Sequence, residues 1–349
     1  MQKIRTALCS FGMSGRVFHA PFLHLHPGFE LYAVWERSRK TAAEKYPGII
    51  SYDTIDEMLA DENIDLVVVN TPNVTHFEYA KKALLANKHV VVEKPFTATV
   101  AEALELEQLA DHRNRLLSVY QNRRFDSGFK TIQRVLESGV LGDVKEAEFH
   151  FDRYNLAISP KQHKEVPVRG TGILYDLGSH IIDQALVLFS MPDALFADIQ
   201  IQRAISQVDD YFEILLFYPH MRVRLKGSYL VLEPVPAHVL HGTMGSFLKH
   251  HADVQEAMLV AGHQPEGADW GKEPESARGL LVTNVDGKPH KQLIVSEQGN
   301  YMEFYDGLYQ ALESNIYDGH FVPASAGTNV IRIIEAAYKS RDEKKIVQL

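Results

Sequence analysis

The chain has one cysteine, Cys9, so no internal disulfide can form and the fold must rest on its own apolar core. Cys9 sits in the run Ala7-Leu8-Cys9, which points to a packing role and a reducing compartment. No apolar run approaches the roughly 20 residues of a membrane span. Met1 to Phe11 lacks the basic stretch and apolar core of a secretory leader, so the expected location is the cytoplasm and no membrane partner is expected. The net charge is −9 and the pI is near 6.0. With no long basic tract, nucleic acid is not an expected partner. The 17 histidines form no HExxH or HxxEH pair, so no metal is expected, and no Gly-x-Ser-x-Gly elbow offers a serine nucleophile.

What is present is a globular balance, 45% hydrophobic and 23% charged, in a chain of 349 residues, long enough for two domains. From Lys3 to Gln121 short apolar runs alternate with segments of helical spacing. Strands are expected at Ile4–Ser10, Glu30–Trp35, Leu66–Asn70, His89–Glu93 and Leu116–Tyr120, with helices between them at Ser14–Phe22, Thr41–Tyr46, Thr54–Ala60, Thr75–Ala86 and Val100–His112. That βαβ rhythm predicts a doubly wound parallel sheet of Rossmann type over residues 1–122, a dinucleotide-binding domain. Beyond it, after a helix at Ser127–Ser138, the runs Val144–Phe151, Ala194–Arg203, Tyr211–Tyr218, Val223–Val231, Ala237–Leu248, Leu280–Val285 and Lys291–Val295 predict an open, mostly antiparallel sheet of about six strands. Helices over Asp176–Phe189, Tyr301–Ser314 and Ala326–Ser340 would cover it, making residues 123–349 an α+β domain for substrate binding and oligomerisation. Leu156–Gly172, rich in Pro and Gly, reads as a substrate-side loop, and His263–Arg278 as a surface excursion.

The first strand runs into Ser10-Phe11-Gly12-Met13-Ser14-Gly15, a Gly-x-x-Gly turn with Ser10 at the usual first glycine of the dinucleotide fingerprint. Gly12 permits close backbone approach to a pyrophosphate, Gly15 permits close helix packing, and the helix start offers free N–H groups. Glu36 follows the second strand, where a carboxylate accepts bonds from the adenosine ribose. The adjoining Arg37, Ser38, Arg39 and Lys40 could instead clasp the 2′-phosphate of NADP, so both dinucleotides remain open with NADP(H) favoured. His89-Val90-Val91-Val92-Glu93-Lys94-Pro95 delivers Glu93 and Lys94 to the carboxyl edge of the sheet, where ligands of open α/β sheets bind. Asn70-Thr71-Pro72-Asn73-Val74-Thr75-His76 ends another strand there: Thr71 and Pro72 would flank a cofactor, with Asn73 and His76 also beside it, and Asn73 or Thr75 would cap the next helix. Further on, Asp176 and His180 stand at i and i+4, where a carboxylate can orient an imidazole for proton removal from an alcohol. The alternative is a helix cap and a core histidine. Asp183 could reach the same face.

Taken in order, Ser10-x-Gly12-x-x-Gly15 with Arg16-Val17-Phe18-His19-Ala20-Pro21, Glu93-Lys94-Pro95, Tyr120-Gln121-Asn122-Arg123-Arg124-Phe125-Asp126 and Tyr175-Asp176-Leu177-Gly178-Ser179-His180 resemble the glucose-fructose oxidoreductase/inositol dehydrogenase (Gfo/Idh/MocA) family. The resemblance is strongest to its NADP-dependent scyllo-inositol dehydrogenase branch. It implies that Lys94 hydrogen-bonds the reacting oxygen of a polyol or sugar, that His180 exchanges its proton, that Asp176 orients substrate and histidine, and that Asn122 lies near the nicotinamide. It also implies a homodimer or homotetramer formed through the C-terminal sheet. Ser10 departs from the family's usual first glycine, and Gln121 and the stretch Asn155–His163 differ from the inositol-specific branch. The competing expectations are a catalytically silent nucleotide or sugar sensor and a reductase of another carbonyl or imine.

Overall fold

Valine-rich runs flanked by turn residues set the first sheet. A computed structural model, which describes residues 3–38, 40–314 and 316–349, has strands β1 (Ile4–Leu8), β2 (Phe29–Trp35), β3 (Ile50–Tyr52), β4 (Leu66–Val69), β5 (His89–Glu93) and β6 (Leu117–Tyr120), all parallel, in the order β3-β2-β1-β4-β5-β6. All four residues of β4 and the three valines of β5 are buried, as a strand covered on both faces requires. The intervening helices are α1 (Ala20–Leu25), α2 (Ala42–Lys45), α3 (Ile55–Ala60), α4 (His76–Leu85) and α5 (Val100–Arg113). Capping boxes start α3 (Thr54 with Glu57) and α5 (Thr99 with Glu102), and Asn114 in the left-handed region ends α5. The sequence reading omitted β3: three residues at a sheet edge carry too little pattern to register.

Period-2 alternation builds the second sheet. In β9 (Tyr211–Phe217) Phe212, Ile214 and Leu216 are buried while their neighbours are not, and β10 (Arg222–Ser228) buries Val223 and Leu225. With β7 (Val144–His150), β8 (Ala194–Gln200), β11 (His238–Gly242), β12 (Gly245–Lys249), β13 (Gly279–Val285), β14 (Lys288–Ile294) and β15 (Val347–Gln348), the order is β14-β13-β12-β11-β7-β10-β9-β8-β15. Only the β7/β10 pair is parallel. The sheet thus has nine strands, not about six. The run Ala237–Leu248 is a hairpin, folded back between Gly242 and Gly245, and the chain end adds a two-residue edge strand. Helices α6 (Ser127–Glu137), α7 (Ser179–Phe189), α8 (Gln255–Val260), α9 (Met302–Ser314) and α10 (Ala324–Glu343) complete the elements. No helix among the described residues is long and apolar enough to cross a membrane.

The chain packs as two units. One holds the residues through Asn122 with Gln255–Ala268 and Tyr301–Thr328; the other holds Arg123–Val254, Asp269–Asn300 and Asn329–Leu349. Two segments of the C-terminal stretch therefore belong to the first unit's packing.

The stretch His263–Arg278 is more than a surface excursion. Glu273 sits on the second unit's core, where its carboxylate takes the Lys249 ammonium at 2.6 Å with both side chains essentially unexposed. It also accepts Ser127 Oγ at 2.5 Å and Ser296 Oγ at 2.6 Å, while Lys249 donates a further bond to the Ala277 carbonyl at 2.7 Å. Removing one partner leaves an uncompensated buried charge. Lys249→Met should therefore destabilise the protein by about 3–5 kcal/mol, measurable by denaturant unfolding. A loss below about 1 kcal/mol, the scale of exposed pairs, would contradict this.

Candidate functional site

In the first unit a cavity of about 490 Å³ opens at the carboxyl ends of β1, β2 and β4. Ser10, Phe11 and Gly12 line it from the first turn, Glu36, Arg37 and Ser38 from the second, and Thr71 and Pro72 from the third. Arg16, Trp35, Thr41 and Tyr79, not singled out from the sequence, line it too, Trp35 and Tyr79 meeting edge to face at 5.4 Å. Of these only Arg16 carried a signal, a cation one residue after Gly15. Arg39 lies outside the described residues.

The turn is shaped by Ser10. Its hydroxyl accepts the Gly12 N–H at 3.1 Å, and its carbonyl accepts the Asn70 amide at 2.8 Å, tying the end of β1 to the end of β4. A Cβ on Gly15 would lie 2.2 Å from the Ser10 carbonyl oxygen, so only glycine lets the helix start pack there. One on Gly12 would meet only the Ser10 hydroxyl, at 3.3 Å. Met13 is exposed and Ser14 leads into a π-helical turn, Gly15–His19, that continues as α1.

Glu36, expected to accept bonds from the adenosine ribose, lines the cavity but is already engaged within the protein. It is buried, with one carboxylate oxygen accepting the backbone N–H groups of Thr41 at 2.8 Å and Ala42 at 3.3 Å at the start of α2, and the other the Ser51 hydroxyl at 2.9 Å. Both oxygens are engaged by the protein itself. Arg37 and Ser38 remain exposed at the cavity rim.

At the end of β5, Glu93 is mostly buried. One oxygen accepts Ser14 Oγ and lies 3.0 Å from His19 Nε2, and the other accepts the Lys94 N–H at 3.1 Å. Burial alone would raise the Glu93 pKa. The bond and charge of His19, the Ser14 bond and the charge of Lys94 overcome it and hold the pKa at about 2. His19 Nδ1 lies 2.8 Å from Tyr305 Oη, and the ring packs on Tyr120 at 4.4 Å. Lys94 precedes Pro95 across a cis peptide.

His76, expected beside the cofactor, is instead fully buried. Its Nε2 lies 2.9 Å from the Thr71 carbonyl oxygen and its Nδ1 2.8 Å from that of Pro95. Burial lowers its pKa against the opposing pull of those carbonyls and Glu93. Thr75 stands at the N-cap position of α4 but makes no side-chain capping bond there: its hydroxyl turns back to the Pro72 carbonyl at 2.7 Å. Asn73 opens a short 3₁₀ turn, and Asn122, buried, opens another after β6.

In the second unit, Asp176 lies on a π-helical turn, Leu174–Gly178, and buried His180 in the first turn of α7, its ring stacked on Phe151 at 5.9 Å. Asp176 accepts the Lys164 ammonium at 2.8 Å, a partner from the Leu156–Gly172 loop that the i, i+4 spacing did not reveal. Asp183 is not available to His180's face: Arg124 takes both its oxygens in a bidentate pair at 2.6 and 2.8 Å. A second cavity of about 150 Å³ shares the Phe151 wall and is lined also by Arg123, His150, Asp152, Arg153 and His238. His238 is buried and its pKa is pushed down to about 3 by that burial.

Two outcomes follow from these contacts. Gly15→Ala should cost about 1–3 kcal/mol, since the added methyl meets backbone, whereas Gly12→Ala should stay within about 0.5 kcal/mol; equal losses in thermal unfolding would refute the distinction. Glu93, depressed in the folded state, contributes stability above its unfolded pKa of 4.5 that is lost as pH falls toward 2. Glu93→Gln should therefore weaken the protein at neutral pH by about 3 kcal/mol and flatten the stability profile between those two values. An unchanged acid limb would contradict it.

Comparison with known proteins gives the same frame. Residues 4–121 match the profile of the "Oxidoreductase family, NAD-binding Rossmann fold" and residues 129–248 that of the "GFO/IDH/MocA C-terminal domain". The chain is 36% identical to scyllo-inositol 2-dehydrogenase (NADP(+)) IolW of Bacillus subtilis, covering 99% of this chain and 96% of that one. It is 40% identical to an uncharacterized oxidoreductase of Schizosaccharomyces pombe over the full length of both. A solved structure from Bacteroides fragilis superimposes with a TM-score of 0.90 at 46% identity, covering all of both chains. With matched motifs in order, the parallel and mostly antiparallel sheets of the fold, and relatives over its whole length, the chain belongs to the Gfo/Idh/MocA oxidoreductase family.

Proposed function

We propose that this oxidoreductase is an NAD(P)-dependent dehydrogenase acting on a ring hydroxyl, or the corresponding ketone, of an inositol-like polyol or sugar, with NADP(H) as its preferred dinucleotide. The observation that carries the reading is the cavity at the carboxyl edge of the parallel sheet, bordered by the glycine turn and one strand away from Lys94. The N–H groups at the start of the Gly15 helix suit a pyrophosphate, and the walls formed by Thr71, Pro72 and Phe11 suit the rest of the dinucleotide. Glu36 still lines the cavity, but the N–H and O–H groups that it accepts offset its charge beside a 2′-phosphate, while Arg37 and Ser38 remain at the rim to receive one. The relative named for scyllo-inositol and NADP(+) supports both the substrate class and the cofactor.

A bound nicotinamide supplies the hydride acceptor or donor. For the chain's own residues, we assign His180 to taking the hydroxyl proton during oxidation, Lys94 to stabilising negative charge on the reacting oxygen, and Asp176 to orienting the substrate hydroxyls. Lys164, paired with Asp176, holds that carboxylate in place. The buried thiol of Cys9, its pKa raised by burial, suits a reducing cytoplasm. A homodimer or homotetramer formed through the second sheet accords with its unusual width and with apolar side chains such as Phe196 left exposed on it.

Lys94→Met and His180→Ala should each lower turnover of scyllo-inositol or a related polyol by roughly 100-fold or more, read at 340 nm, with melting temperature and NADPH affinity nearly unchanged. Near-normal turnover in both folded variants would reject the assignment. Arg37→Ala should weaken NADPH binding more than NADH binding, and equal losses would remove the basis for the NADP preference.

A further inference from the structure

The turn that carries Lys94 is tied at both ends to elements that border the cavity. On its N-terminal side Glu93 accepts the Lys94 N–H and is itself held by Ser14 and His19 of the glycine-turn helix. On its C-terminal side the Pro95 carbonyl meets His76 Nδ1 at 2.8 Å, and the opposite ring nitrogen meets the carbonyl of Thr71, which lines the cavity. The imidazole is completely buried, so no water competes for either contact. Thr71 and Pro72 are made stiff in turn by Thr75, whose hydroxyl contacts Thr71 Oγ1 at 2.8 Å and donates to the Pro72 carbonyl. His76 begins α4, so the rigid body that follows anchors the ring as well.

We infer that His76 is a positioning residue that couples the Thr71–Pro72 wall of the cavity to the Lys94–Pro95 turn, so that a ligand seated against the wall also fixes the lysine. A carbonyl oxygen only accepts, so a contact is a hydrogen bond only where the ring nitrogen carries a proton. A neutral ring donates to one of the two carbonyls at a time and packs against the other, an imidazolium donates to both, and in either state the ring is the body between the two loops. This ordering of Lys94 rests on the dinucleotide reading of the cavity. The coupling of the two loops stands on geometry alone.

Hydrogen–deuterium exchange of the full-length chain, with and without saturating NADPH, tests it. In the wild type, NADPH should slow exchange over both 71–78 and 94–99. In His76→Phe, which keeps a ring but loses every ring N–H, exchange over 94–99 without ligand should rise about fivefold to tenfold, the scale of a lost hydrogen bond. NADPH should then still protect 71–78 but no longer 94–99. His76→Gln, which keeps an amide NH2 as donor, should recover part of both effects, and it serves alone if the phenylalanine variant does not fold. If exchange over 94–99 without ligand stayed within twofold of wild type in either folded variant, the coupling would be refuted. Absence of any NADPH protection in the wild type would overturn the dinucleotide reading instead, and the comparison without ligand would still decide the role of His76.

Discussion

A carboxylate taken out of water at the end of a buried parallel strand needs donors, and the position of those donors at Glu93 organises the first unit's edge. Ser14 and His19 both reach the same oxygen, Oε1. They stand at the two ends of one wide π-turn, a local departure from α geometry that lets residues five apart converge. Bringing that turn against β5 presses Gly15 onto the Ser10 carbonyl, where no side chain fits. The glycine, the π-turn, the buried His19 and the orientation of the Lys94 N–H are thus consequences of a single desolvated charge. The second unit also has a π-turn that leads into a helix, but there the carboxylate, Asp176, lies on the turn itself and is part-exposed.

The parts of this arrangement that were legible in the sequence are those written in local pattern. Three consecutive valines before Glu93-Lys94-Pro95 mark a strand buried on both faces, and Gly12 and Gly15 mark a turn against a helix start. Alternation in Tyr211–Phe217 marks a half-buried strand. What escaped depends on long-range partners. The burial of Glu36 needs Ser51, fifteen residues on, and the N-terminus of a four-residue helix, neither of which a run of charged letters reveals. The role of Glu273 needs Lys249 and Ser127, far apart in the chain. The hairpin inside Ala237–Leu248 was missed because hydrophobic alternation continues across its turn, which only Gly242 and Gly245 betray.

Acidic residues show how far residue type falls short of role. Asp183 and Asp176 lie seven positions apart on adjoining helical turns. One is buried in a bidentate pair with Arg124 and serves packing; the other is part-exposed and faces a lysine of the loop. Arg124 holds both Asp183 oxygens in a planar fork, while Lys164 meets Asp176 as a point charge on a flexible stem. The substrate contact proposed for Asp176 is accordingly not extended to Asp183.

The same reasoning bears on the cofactor. An exposed carboxylate at the end of β2 would favour ribose hydroxyls and oppose a 2′-phosphate, and the order Glu36-Arg37-Ser38 by itself points both ways. The fold weights the proposed reading toward the phosphate: the Glu36 oxygens already accept N–H and O–H groups at the start of α2, which offsets their charge and occupies part of their capacity for ribose hydroxyls, while Arg37 stays exposed at the rim. The preference proposed for NADP(H) therefore rests on where Glu36 is folded rather than on which residue it is.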